Sequence, residues 1–167
     1  MFSKTLYFRW DEFRHRYMPT CMLPEEHDIR LTPKQGRGTC EIAAWLSVEF
    51  SLHSINEMIN ALRDLSSSRV PNGNFGLGNG NWTLVTGEYV FICSEYIRPR
   101  PVLMTTEQAL YILEQYKSFL ERNHKKRHPP EPIDVEFIAE GQEAIDMYNA
   151  LDGTHGSPFD TDEPIMD

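Results

Sequence analysis

The run Asn81-Trp-Thr-Leu-Val-Thr-Gly-Glu-Tyr-Val-Phe-Ile-Cys-Ser-Glu-Tyr96 decides how this chain folds. Gly87-Glu88 has the form of a two-residue hairpin loop, with glycine first as a type II′ turn requires. That turn sets Thr86 against Tyr89, Leu84 against Phe91 and Trp82 against Cys93 on one face. Thr83, Val85, Val90 and Ile92 occupy the other. A hairpin apolar on both faces belongs in the interior of a sheet, covered above and below. Beyond a proline-rich joint, Thr105 and Gln108 stand at capping-box spacing. Ala109, Ile112, Leu113, Tyr116 and Leu120 follow at helical intervals, so a long amphipathic helix is predicted to lie against the hairpin.

On the N-terminal side of the hairpin, residues 71–81 form a Gly/Asn-rich stretch read as a plain loop. It is no phosphate cradle, because it opens a strand and lacks a following Gly-Lys-Ser/Thr. Ser54-Ile-Asn-Glu57 has capping-box form, and Ile55, Met58, Ile59, Leu62 and Leu65 make a core-facing stripe that ends at Ser66-Ser67-Ser68. In residues 41–50, Ile42, Ala44, Leu46, Val48 and Phe50 fall on every second position, and this alternation predicts a strand. Residues 34–39 read as a flexible turn. Pro19, Pro24 and Pro33 punctuate a connecting region, with a short strand at 27–31. Residues 11–17 read as a short helical turn, and the β-formers of residues 5–10 as the first strand.

On the C-terminal side, Pro129-Pro130-Glu131-Pro132 is a stiff break and the one internal boundary. Ile133, Val135 and Phe137 alternate with Asp134 and Glu136, a short strand with an acidic face. Ala144, Ile145, Met147, Tyr148 and Leu151 suit a helix docked through one side. The expected fold is α+β, an antiparallel sheet of about four to six strands with two main helices on one face and a third C-terminal helix. The chain divides into an α+β core at 1–128, an acidic strand–helix extension packed on it at 129–153, and an acidic tail at 154–167, poorly ordered when free.

A hydrophobic fraction of 40% and a charged fraction of 25% over 167 residues are those of a folded globular chain. No apolar run approaches the roughly 20 residues of a membrane span. The first sixteen residues mix charge with aromatics and lack the apolar run of a secretory signal. Cys21, Cys40 and Cys93 are too few and too scattered for a disulfide framework or a zinc knuckle, and Cys93 is expected to be buried in the hairpin. A reducing cytoplasm is the simplest location, with no membrane partner and no cofactor.

Charge is segregated. Of the 25 acidic residues, 11 lie from Glu131 onward, where there is no Lys or Arg, so the net charge of −9 is entirely C-terminal. A basic patch, Arg122-Asn-His-Lys-Lys-Arg-His128, comes directly before. This arrangement points to a partner with a basic surface, or to pairing of the two blocks within the chain. Four cations followed by so many acids make a poor footprint for nucleic acid. His124 and His128 have the spacing of a helical metal pair, but Lys125, Lys126 and Arg127 between them oppose a cation, and a basic helix end is the better account. His15, His27, His53 and His155 are isolated. No nucleophile elbow or metal-ligand cluster is present, so no catalytic residue is assigned.

The string Gly80-Asn-Trp-Thr-Leu-Val-Thr-Gly-Glu-Tyr-Val-Phe-Ile-Cys-Ser-Glu-Tyr96 followed by Leu103-Met-Thr-Thr-Glu-Gln-Ala-Leu-Tyr-Ile-Leu-Glu-Gln-Tyr-Lys-Ser-Phe-Leu120 resembles small bacterial immunity proteins of contact-dependent growth inhibition and related polymorphic-toxin systems. The resemblance is one of arrangement and covers about residues 41–121: strand and helix, Gly/Asn-rich loop, Trp-led hairpin, then a long helix starting at Ser or Thr. The acidic segment after Pro132 departs from that pattern. The resemblance implies a cytosolic, non-enzymatic protein dedicated to one toxin, often a nuclease with a basic groove.

Carboxylates set where such a groove expects phosphates would give an inhibitor speed and specificity. Asp146, Asp152, Asp160, Asp162 and Glu163 are the candidate contacts with that toxin domain, and Tyr148, Phe159 and Met147 the candidate apolar anchors. Two other classes remain open: a small hydrolase or transferase with a dispersed site near the Asn72 to Asn81 loop, and a non-enzymatic regulatory or scaffold subunit.

Overall fold

The computed structural model describes residues 1–13, 16–22, 37–67, 73–77, 80–94, 101–122 and 131–151. The fold is α+β with antiparallel sheets, as the sequence predicts. Its described strands form two sheets where a single sheet is expected. The larger runs β3 (Gly73–Leu77), β4 (Asn81–Thr86), β5 (Tyr89–Ser94), β6 (Val102–Thr105) and β8 (Ala139–Glu140), in that spatial order. The smaller sets β1 (Phe2–Phe13) between β2 (Arg16–Met22) and β7 (Glu131–Phe137).

The β4–β5 hairpin sits inside the larger sheet with the expected register: Thr86 opposite Tyr89, Leu84 opposite Phe91 and Trp82 opposite Cys93. Gly87 takes φ +55°, the left-handed conformation that the loop demands and that glycine adopts without a Cβ penalty. Both faces are buried. On one, Val85, Val90, Ile92, Val102 and Met104 belong to the main core. On the other, Leu84, Phe91, Cys93 and Leu103 form a second, smaller core.

Three helices and the small sheet cover the first face: α1 (Arg37–Glu49), α2 (Leu52–Ser67) and α3 (Thr106–Glu121). In α3 the predicted capping box is made in full. The Thr105 hydroxyl accepts from the Gln108 N–H at 3.0 Å, and the Gln108 side chain accepts from the Thr105 N–H at 2.9 Å. Its predicted stripe is buried, with Phe119 added. The helix shares the main core with Val90 and Ile92, but its principal neighbour is α2, and Arg63 of α2 pairs with Glu114 across the seam. Phe8 lies 5.1 Å from the Tyr116 ring and 5.4 Å from Phe119, which fastens the small sheet to α3.

Several local expectations are corrected. Residues 41–49 are helix, not strand. Ile42, Trp45, Leu46 and Glu49 stand at i, i+3, i+4 and i+7, and Ala43, Trp45 and Leu46 are buried with Ile42. Val48, which the alternation places inside, is 48% exposed. The same helix absorbs residues 37–39 of the expected turn. At α2 the cap lies three residues earlier than Ser54: the Ser51 N–H donates to the Ser54 hydroxyl at 2.9 Å, and the Ser54 N–H donates back to Ser51 Oγ at 3.3 Å. Residues 73–77, read as loop, pair with β4 across an irregular register. The expected helical turn at 11–17 is replaced by the continuation of β1 to Phe13 and the start of β2 at Arg16. Pro19 lies within β2, at a sheet edge, where a residue lacking an N–H is tolerated. The expected strand at 27–31 lies outside the described residues.

After the proline break, β7 buries Ile133, Val135 and Phe137, exposes Asp134 and Glu136, and pairs along β1 with Leu6 opposite Ile133. The chain then passes Ile138, whose N–H donates to the Leu103 carbonyl at 2.8 Å, and continues as β8 on the edge of the other sheet. Residues 131–140 thus supply a strand to each sheet, joined through Ile138. They lead into α4 (Gly141–Ala150), which covers the second face of the hairpin through Ala144, Ile145 and Tyr148.

Because an added Cβ at Gly87 meets nothing within 4 Å, substitution there tests conformation alone. Gly87→Ala is expected to lower stability by about 1 kcal/mol in urea unfolding, and Gly87→Asn by less. An unchanged Gly87→Ala midpoint would contradict the left-handed turn.

Candidate functional site

The candidate surface is the part of the acidic block that the fold holds in place, on β7 and α4. Strand alternation sorts β7. Its apolar residues enter the core, so Asp134 and Glu136 must project from the opposite face. Asp134 accepts a 2.7 Å hydrogen bond from the Thr5 hydroxyl, its cross-strand partner on β1. Helical spacing sorts α4 in the same way. Ala144, Ile145 and Tyr148 dock, and Gln142, Glu143, Asp146 and Asn149 face solvent. Gln142 donates to Asp146 at 2.8 Å, one turn along the exposed side. Glu143 lies in the first helical turn, where the positive end of the helix dipole favours a carboxylate.

Among the described residues, one acid of the block is paired with the basic patch. Arg122, at the end of α3, meets Glu131, at the start of β7, through both guanidinium nitrogens, and its Nη1 to Oε1 distance is 2.7 Å. Pairing of the two blocks within the chain is thus realised at this point. Among the described residues, Asp134, Glu136, Glu143 and Asp146 make no ion pair. Their charge is held on secondary structure and has no ion-pair partner among the described residues.

Of the residues predicted for partner contact, Asp146 is exposed. Tyr148 is not available: it is 1% exposed and its ring stacks on Phe91 with centroids 4.5 Å apart, so it anchors α4 to the sheet. Met147 is half-buried against the same small core. Asp152, Phe159, Asp160, Asp162 and Glu163 lie outside the described residues, as do His124 and His128 and the tail expected to be poorly ordered. Asp134, Glu136 and Glu143 join the surface, although none was singled out for contact. The strand alternation and the docked stripe of α4, both present in the sequence, already place them outward.

The second candidate region, where the Gly/Asn-rich stretch enters β4, is built differently. Glu49, at the end of α1, receives three N–H groups on one carboxylate oxygen: Gly80 N at 2.9 Å, Asn81 N at 2.9 Å and Asn81 Nδ2 at 3.2 Å. One turn earlier on the same helix, Trp45 Nε1 donates to the buried Thr83 hydroxyl at 2.9 Å. An oxygen so fully engaged is a clamp on the hairpin's first strand and is poorly placed to take a proton from a substrate. Reading residues 41–50 as a strand hides this role, because only the helical period brings Glu49 onto the face of Ile42 and Trp45.

Among the described residues, no group of three or more His, Cys, Asp or Glu is placed to hold a metal ion, and no helix is long and apolar enough to cross a membrane. No protein-family model, curated protein or solved structure matches the chain.

Glu49→Ala leaves three donors to find other acceptors. It is expected to cost roughly 1.5–3 kcal/mol in chemical denaturation, as for hydrogen bonds to a charged group. A loss below about 0.5 kcal/mol would show that the clamp is dispensable.

Proposed function

We propose that this protein is an immunity-type inhibitor that binds a cognate toxin domain through its acidic C-terminal surface and occludes a basic active-site groove. The toxin is in the first place a nuclease. The inhibitor acts by stoichiometric occlusion in the cytoplasm and does no chemistry of its own. What carries this reading is the set of outward, unpaired carboxylates Glu136, Glu143 and Asp146, held on a strand and a helix that are docked through their other sides. The resemblance to immunity proteins of contact-dependent systems supports this reading only through the Trp-led hairpin and the long helix after it, because residues 41–49 are helix and residues 73–77 pair with β4.

The physical logic is complementarity of field. A nuclease groove is lined with cations spaced for phosphates, and carboxylates fixed on secondary structure meet them with little loss of conformational freedom. Such pairing raises the association rate and rejects partners of like charge. Placement on secondary structure matters because acids on an unstructured segment would lose much of that gain to ordering on contact.

The test is to co-express the chain with the product of the neighbouring open reading frame, score rescue of growth, and titrate the purified pair by calorimetry. The double reversal Glu143→Lys with Asp146→Lys is expected to weaken binding by at least roughly ten-fold and to lower the thermal midpoint of the free protein only slightly, through the lost dipole interaction of Glu143 and the lost Gln142–Asp146 hydrogen bond. Affinity equal to that of the unaltered protein would remove the electrostatic mechanism. Failure to bind or to rescue growth with the unaltered protein would remove the inhibitor reading itself.

A further inference from the structure

We infer that α4 is a hinged cover that opens as a unit about Gly141 while the remainder of the protein stays folded. The first ground is the division of the interior. Helices α1, α2 and α3 share one large core with both sheets, whereas among the described residues α4 contributes to the separate small core on the other face of the hairpin. No described residue of α4 belongs to the main core. Local openings of this kind follow boundaries between packing units.

The second ground is the pivot. The chain is fastened to β6 and the residue before it up to the first residue of the helix: Ile138 N to Leu103 O at 2.8 Å, the Ala139 and Glu140 pairings with Leu103 and Val102, and Gly141 N to Pro101 O at 2.8 Å. Gly141 itself has φ +65° and open space around an added Cβ, so strand and helix meet at a residue with wide conformational freedom. Motion is thereby concentrated at one place.

The third ground is the weakness of the helix start. Glu140 is the N-cap residue and makes no side-chain cap. Its Oε2 is buried and has no hydrogen-bond partner, which costs stability at the junction of strand and helix. At the far end the Thr86 hydroxyl donates to the Leu151 carbonyl at 3.2 Å and latches the cover shut. Opening uncovers Leu84, Phe91 and Leu103. It also carries Glu143 and Asp146 away from the sheet, so the state of the hinge is linked to whatever those acids hold.

Native-state hydrogen exchange on the full chain tests this. Amides of residues 144–150 are expected to exchange at least roughly ten-fold faster than those of β4 and β5. Ile112→Val trims the main core without touching α4. It should speed exchange of the slowest β4 and β5 amides by roughly two- to ten-fold and leave the α4 amides unchanged, since their opening does not disturb Ile112. Acceleration of α4 by the same factor as the strands would mean that the helix opens only when the whole protein unfolds, and would overturn the inference.

Discussion

The constraint on which the rest of the structure depends is the burial of one hairpin on both faces. Val90 and Ile92 face one way, Phe91 and Cys93 the other, and all four are inaccessible to solvent. A strand pair with two apolar faces has no solvated side, so a layer is required above and below it. The upper layer is α1 to α3 together with the small sheet, and the lower is α4. One polar pair is matched across the layers where Trp45 on α1 meets Thr83 on β4.

The strand from β7 into β8 turns this scaffold into a display. Because the chain leaves one sheet and joins the other at Ile138, the acid-rich C-terminal segment is woven into both. Alternation on β7 and helical spacing on α4 then sort the residues: apolar side chains close the two cores, and carboxylates are left outside. The same residues that complete the interior fix the positions of the charges. The charge asymmetry of the sequence thus becomes a surface feature with defined geometry, and the Arg122–Glu131 pair is the seam where basic and acidic blocks meet.

Much of the fold is legible in the sequence where one periodicity acts alone. The hairpin register follows from a strict period of two and a glycine at the turn, and α3 follows from a complete capping box and an unbroken stripe. Residues 41–49 fail that condition. Ile42 and Leu46 satisfy both periods, and only Trp45, Ala43 and the exposure of Val48 separate them. The strand at 73–77 is hidden by its glycines and asparagine, because its place depends on pairing with β4. The second sheet is a matter of long-range pairing, Phe2–Phe137 among it, that no local pattern announces. For the candidate site, the outward acids of β7 and α4 are readable from spacing. Tyr148 shows the limit of composition: an aromatic beside acids looks like an anchor for a partner, yet it lies three residues after Ile145 and four after Ala144, in the docked stripe.

The most direct test of this account compares equal truncations on the two sides of the hairpin. Leu84→Ala reports on the face covered by α4, and Ile92→Ala on the face covered by α1 to α3. If both faces are packed interior, each variant loses about 2–5 kcal/mol in equilibrium unfolding. A loss below about 1 kcal/mol for Leu84→Ala, with the full loss at Ile92→Ala, would contradict the two-sided burial.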